Sequence, residues 1–128
     1  MNDDERRERG MATRRAVLGD AHVQRAEARR NAFNGEFQDF ITRYAWGDLW
    51  QRDGVDRRTR SFITLSMLLA LGRDDEFVLH VRAALNNGLT RDEIREVLMH
   101  AAVYCGVPAA NHAFKLAQDV FDGLDAER

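Results

Sequence analysis

Thr90-Arg91-Asp92-Glu93-Ile94-Arg95-Glu96-Val97-Leu98-Met99-His100-Ala101-Ala102, followed by Gly106-Val107-Pro108, decides the fold class. A threonine three residues ahead of a glutamate is the capping-box pattern, in which each side chain satisfies a backbone donor of the other's turn. Ile94, Val97, Leu98, Ala101 and Ala102 then recur at spacings of three and four, so the segment is a helix with one apolar stripe. Gly106 stops it. Pro108, which has no N–H to lose at a helix start, opens a last helix in which Ala110, Ala113, Phe114, Ala117, Val120 and Phe121 face inward.

The same period and punctuation extend upstream. Asn87-Gly88 ends a helix expected from Asp74, whose acidic first turn suits the positive end of the helix dipole. Residues 56–71 begin charged and end almost wholly apolar, the pattern of a central helix buried on most sides and stopped by Gly72. Trp46-Gly-Asp-Leu-Trp50 and Arg52-Asp-Gly54 break the pattern and read as a loop or a short helical turn. Phe33, Phe37, Phe40, Ile41 and Tyr44 fall at helical spacing, a stripe that needs a core to face. Two further helices are expected over residues 21–31 and 4–18. The earlier of these has few large apolar groups and is expected to lie on a surface or on a partner subunit. With one proline and little strand-like alternation, the chain is predicted to be all-α: a compact bundle of about six helices forming a single domain over residues 1–128.

Composition narrows the function. The chain has 128 residues, 45% of them hydrophobic, enough to bury a core unaided. Its net charge of −2, from 19 basic and 21 acidic residues, provides no general attraction to nucleic acid or to an anionic membrane. The longest apolar run, residues 62–71, is half the ~20 residues a membrane span requires. The one cysteine, Cys105, excludes an intrachain disulfide, and no apolar leader flanked by basic residues opens the sequence, so a cytoplasmic location is expected. The apolar surplus exceeds what one small bundle can cover, which points to a homo-oligomer.

Several residues could carry chemistry. His80 lies within the apolar segment Phe77-Val-Leu-His80-Val, where an imidazole would be partly desolvated and able to act as acid or base; a hydrogen-bonded core histidine is the plain alternative. Glu93, Glu96 and His100 share one helix face, and Glu96 is the better functional candidate because Glu93 caps the helix. Arg57, Arg58 and Arg60 cluster where one guanidinium could clamp a carboxylate, or could simply be a wet helix end. Cys105 has no neighbouring cation to stabilise a thiolate and reads as a small apolar residue. His22, His80, His100 and His112 contain no pair at three- or four-residue spacing, so no metal is expected, and no phosphate loop or dinucleotide fingerprint occurs. Ala102-Val-Tyr-Cys-Gly106 resembles the turn of a helix-turn-helix, but the following helix, residues 108–119, has only Lys115 as a cation.

Leu79-His80-Val-Arg-Ala-Ala-Leu-Asn-Asn-Gly88-Leu-Thr-Arg-Asp-Glu93-Ile-Arg-Glu96, with Tyr104-Cys-Gly-Val-Pro-Ala-Ala-Asn111, resembles the signature of the carboxymuconolactone decarboxylase family. Arg15-Ala-Val-Leu-Gly-Asp-Ala-His22-Val and Glu36-Phe-Gln-Asp-Phe-Ile-Thr-Arg-Tyr-Ala-Trp-Gly47 resemble the branch of that family that serves protocatechuate breakdown. Thiol-dependent reductases of the wider superfamily keep a Cys-x-x-Cys-x-x-x-His frame, which here holds Arg73, Glu76 and His80, so the reductase alternative lacks its redox pair. The resemblance implies an alkylhydroperoxidase D-like fold and cofactor-free decarboxylation of 4-carboxymuconolactone to the enol-lactone of 3-oxoadipate. It also implies His80 as proton donor or oxyanion partner, with Glu96 orienting or re-protonating it. Arg60, with Arg43 or His22, would hold the substrate's two carboxylates, and Tyr104, Trp46 and Trp50 would line the pocket.

Overall fold

The computed structural model describes residues 1–128 and contains helices only, as the periodicity requires. There are seven α-helices and a π-helical segment: α1 Asp3–Leu18, α2 Asp20–Ala28, α3 Gly35–Ile41, the π-helix Thr42–Leu49, α4 Arg57–Leu71, α5 Asp74–Asn86, α6 Arg91–Cys105 and α7 Val107–Ala126. The chain divides into two compact units, residues 1–57 and 58–128.

In the first unit, α1 packs mainly on the π-helix, and glycine is what allows it. A Cβ on Gly10 would collide with the carbonyl oxygen of Thr42, and one on Gly47 would come within 2.7 Å of the Arg6 carbonyl oxygen. The helix with few large apolar groups is therefore not merely superficial. It buries Gly10, Thr13, Arg14, Val17 and Leu18, and its small residues let two backbones approach where bulk would hold them apart. The Trp46–Trp50 stretch is no loop. The π-helix continues directly from α3 and closes with Trp50 N–H donating to Ala45 five residues back (3.0 Å), so the two indoles stack with centroids 5.3 Å apart. Phe33, Phe37, Phe40 and Tyr44, expected to face a core, instead point outward, and Phe40 and Tyr44 stack on one another at 5.3 Å.

The second unit holds the main apolar core, in which Leu65, Phe77, Val81, Ile94, Leu98, Ala113 and Ala117 are all buried. Burying each large side chain contributes about 1.5–3 kcal/mol. Thr90 and Glu93 form the expected capping box, with reciprocal bonds of 3.0 and 2.9 Å. Gly88 and Gly106 adopt φ of 95° and 99°, a region that disfavours any side chain, which is why the chain turns at these two points. Arg91 forks onto Asp125 (2.7 and 3.1 Å) and lies over the Phe121 ring, tying the start of α6 to the end of α7. The central helix departs from expectation: α4 buries only Ser61, Leu65 and Leu69, while Ile63, Met67 and Leu71 are exposed. Its four-residue apolar repeat has one inward stripe, and within this chain nothing covers the other.

Candidate active site

Two helices of the second unit build a pocket of about 610 Å³, within the usual range for small-molecule sites. Phe62 and Ser66 line it from α4; Glu96, Val97, His100, Ala101, Tyr104 and Cys105 line it from α6. The α6 wall follows from helical geometry, since Glu96, His100 and Tyr104 stand at i, i+4 and i+8 and so share one face. Val97 and Ala101, one position on, turn into the core and fix that face toward α4. The His100 and Tyr104 rings lie 5.1 Å apart, tilted by 30°. The Ser66 hydroxyl donates to the Phe62 carbonyl oxygen at 2.8 Å, leaving its lone pairs as the acceptor on the α4 wall. The pocket is thus an apolar cleft carrying one carboxylate, one imidazole, one phenol and one thiol, groups suited to delivering or accepting a proton.

Two residues expected at the site, Glu96 and Tyr104, are brought together here. His80 sits on α5 at 8% exposure, between the core residues Phe77 and Val81, and is not among the lining residues. Arg60 is half-buried on α4, two residues before Phe62, where the pocket wall begins, and is not among the lining residues. Arg58, its neighbour, is occupied structurally: it donates to the Gly88 carbonyl oxygen and to Glu93, holding the carboxyl group of Glu93 below its usual range. His22, Arg43 and Trp46 belong to the first unit. His22 is half-buried on α2, and its pKa is pushed below 6.5 chiefly by burial and then by the charges of Arg14, Arg25 and Arg29. Arg43 is half-buried on the π-helix, and Trp46 is buried against Trp50.

Three lining groups escaped the sequence reading. His100 was visible as the partner of Glu96 on one face, but nothing in the sequence ranked that face above a solvated one. Cys105, expected to be buried, is exposed at the pocket's edge because it ends α6 one turn beyond Ala101. Ser66 lies on another helix, and no spacing rule connects it to Glu96. No group of three or more histidine, cysteine, aspartate or glutamate side chains is gathered in a way that could hold a metal ion.

The second unit is thus all-α, with a small pocket on the capped helix that carries groups able to exchange protons. The chain belongs to the carboxymuconolactone decarboxylase family, whose model matches residues 35–119. It is 48% identical over 124 residues to 4-carboxymuconolactone decarboxylase of Acinetobacter baylyi, covering 97% of this chain and 92% of that one. It is 41% identical over 115 residues to nitrosuccinic acid decarboxylase of Metarhizium robertsii, covering 90% and 80%. A 4-carboxymuconolactone decarboxylase sequence from Pseudomonas putida is 58% identical over 48 residues, which are all of that sequence and 38% of this chain.

Proposed function

We propose that the protein removes carbon dioxide from 4-carboxymuconolactone without a cofactor, yielding the enol-lactone of 3-oxoadipate in the protocatechuate branch of aromatic-acid breakdown. The observation that carries this reading is the 48% identity, across 97% of the chain, to the Acinetobacter baylyi enzyme of that activity. The chemistry needs no external electron sink. As the carbon–carboxylate bond breaks, its electron pair moves through the ring double bond onto the lactone carbonyl oxygen, and one proton is then delivered to the carbon next to that carbonyl. The protein's tasks are to hold the remaining carboxylate, stabilise the oxyanion and supply the proton.

Glu96 and His100, one helical turn apart on the pocket wall, are assigned to proton delivery, with the carboxylate orienting or recharging the imidazole. His80 is assigned as the oxyanion partner. Arg60 is assigned to a substrate carboxylate through its planar fork, as are Arg43 and His22; Tyr104 and Trp46 are assigned to excluding water. The decisive assay supplies freshly generated 4-carboxymuconolactone in the presence of a chelator and follows carbon dioxide release. No turnover by well-folded protein would reject the reading, and turnover lost to the chelator alone would reject its cofactor-free clause. His100→Ala and His80→Ala should each lower kcat by on the order of 10²-fold. A folded variant with near-normal turnover removes that histidine from the mechanism.

A second substrate is favoured by the Metarhizium relative. A nitro group, like the unsaturated lactone, accepts the electron pair released by a departing carboxylate. Nitrosuccinate offered beside the lactone tests this, and a higher kcat/KM for the nitro acid would reverse the assignment. The enzyme is further proposed to act as a homo-oligomer, trimer or hexamer, in the cytoplasm, and no helix is long and apolar enough to cross a membrane. A single functional domain over residues 1–128 accords with the family match, which runs through the junction of the two units.

A further inference from the structure

Arg14 stands apart from the other arginines of the first unit. Arg6 pairs with Asp3 and Asp48, Arg15 with Asp20 and Arg30 with Asp39, all with guanidinium groups a third or more exposed. The Arg14 side chain is only 8% exposed. Its Nη2 donates to the neutral Gln38 Oε1 at 3.2 Å, while Glu27 Oε1 stands 4.0 Å from Nη1, beyond hydrogen-bond reach. Nε and Nη1 are buried and have no acceptor. A guanidinium stripped of water is costly unless a close countercharge takes up its donors, and here Nε and Nη1, on different edges of the fork, are both left without one. Three arginines, Arg14, Arg25 and Arg29, act on the half-buried imidazole of His22, while the single carboxylate of Glu27 acts on Arg14.

We propose that Arg14 is a binding site for one carboxylate of a small dicarboxylate. A carboxylate suits this position, since it can accept from the unpaired Nη1 at the end of the fork and brings the countercharge that Glu27 does not deliver within hydrogen-bond distance. It also adds the negative charge this cluster lacks, and His22, on which the Arg14 charge acts, reports its arrival. The Glu27 side chain is 30% exposed and too far away to hold Arg14 by a hydrogen bond, so an entering carboxylate has no such bond to displace. The choice of a dicarboxylate rests on the decarboxylase reading; capture of a carboxylate does not.

The test uses the full chain and succinate as a stable probe, with acetate for comparison and ionic strength held constant by chloride. NMR follows the His22 imidazole through a pH titration, and calorimetry gives the affinity. Succinate should raise the His22 pKa as the bound charge offsets the arginines. Gln38→Glu, which places a carboxylate of the chain itself against Arg14, should weaken succinate binding by at least on the order of 10-fold and raise Tm. Glu27→Gln, at a partly exposed position, should bind succinate more tightly. An unchanged His22 titration, or an effect that survives Gln38→Glu, would overturn the site, and acetate binding as tightly as succinate would overturn the dicarboxylate assignment. Lost turnover with the succinate effect intact would count against the decarboxylase reading instead; full turnover with no succinate effect counts against this proposal alone.

Discussion

His22 shows how far a residue's chemistry depends on neighbours its own sequence context does not reveal. Burial, and then Arg14, Arg25 and Arg29, disfavour its charged form, so the folded pKa lies below 6.5. The unfolded chain then binds the extra proton first, so this group's contribution is fully present above about pH 6.5 and is lost as pH falls below it. Denaturant unfolding at pH 7.5 and pH 5.5 should therefore show a larger loss of stability for the wild type than for His22→Gln. Equal losses would mean that His22 is not held neutral. Of the site residues, Glu96 could be read from the sequence because a single helix sets which residues share a face. His100 was on that same face and went unranked, because periodicity says which side chains are neighbours and not which face lines a cavity.

At the scale of elements, the helices carry their own instructions: a cap at Thr90, stops at Gly88 and Gly106, a proline just inside the last start. The π-helix does not. Its C-terminal residues belong to a stretch, 46–54, whose two glycines and two tryptophans read as a break, and its conformation becomes intelligible only against α1, where Gly10 and Gly47 allow backbone-to-backbone contact. Gly10→Ala has no space for its methyl group beside the Thr42 carbonyl and should cost about 1–3 kcal/mol, the usual range for overpacking. Urea denaturation measures this directly. An unchanged midpoint would show that the α1 and π-helix contact yields without cost, and Gly54→Ala, where an added Cβ meets nothing within 4 Å, is the control.

For the whole molecule, the apolar groups left outside are the most informative. Phe33, Phe37, Phe40 and Tyr44 are exposed in the first unit, and Ile63, Met67, Met99 and Val103 are exposed in the second. Exposed apolar area on this scale marks association surfaces. Sedimentation should find the wild type larger than a monomer, and Phe37→Asp or Met67→Asp should shift it toward smaller species without unfolding the isolated chain. A monomeric wild type at micromolar concentration would contradict the homo-oligomer. By itself the sequence determined the all-α class, the helix ends marked by a cap or a glycine stop, and the family, because caps, glycine stops and a 3.6-residue period are local and act within a turn or two. Only the tertiary structure decided which stripe of α4 is buried, that α1 meets a π-helix through two glycines, and that Glu96, His100 and Tyr104 share a pocket with Ser66. Those outcomes depend on what each helix packs against, and residues distant in sequence become neighbours through burial and steric fit that no local pattern records.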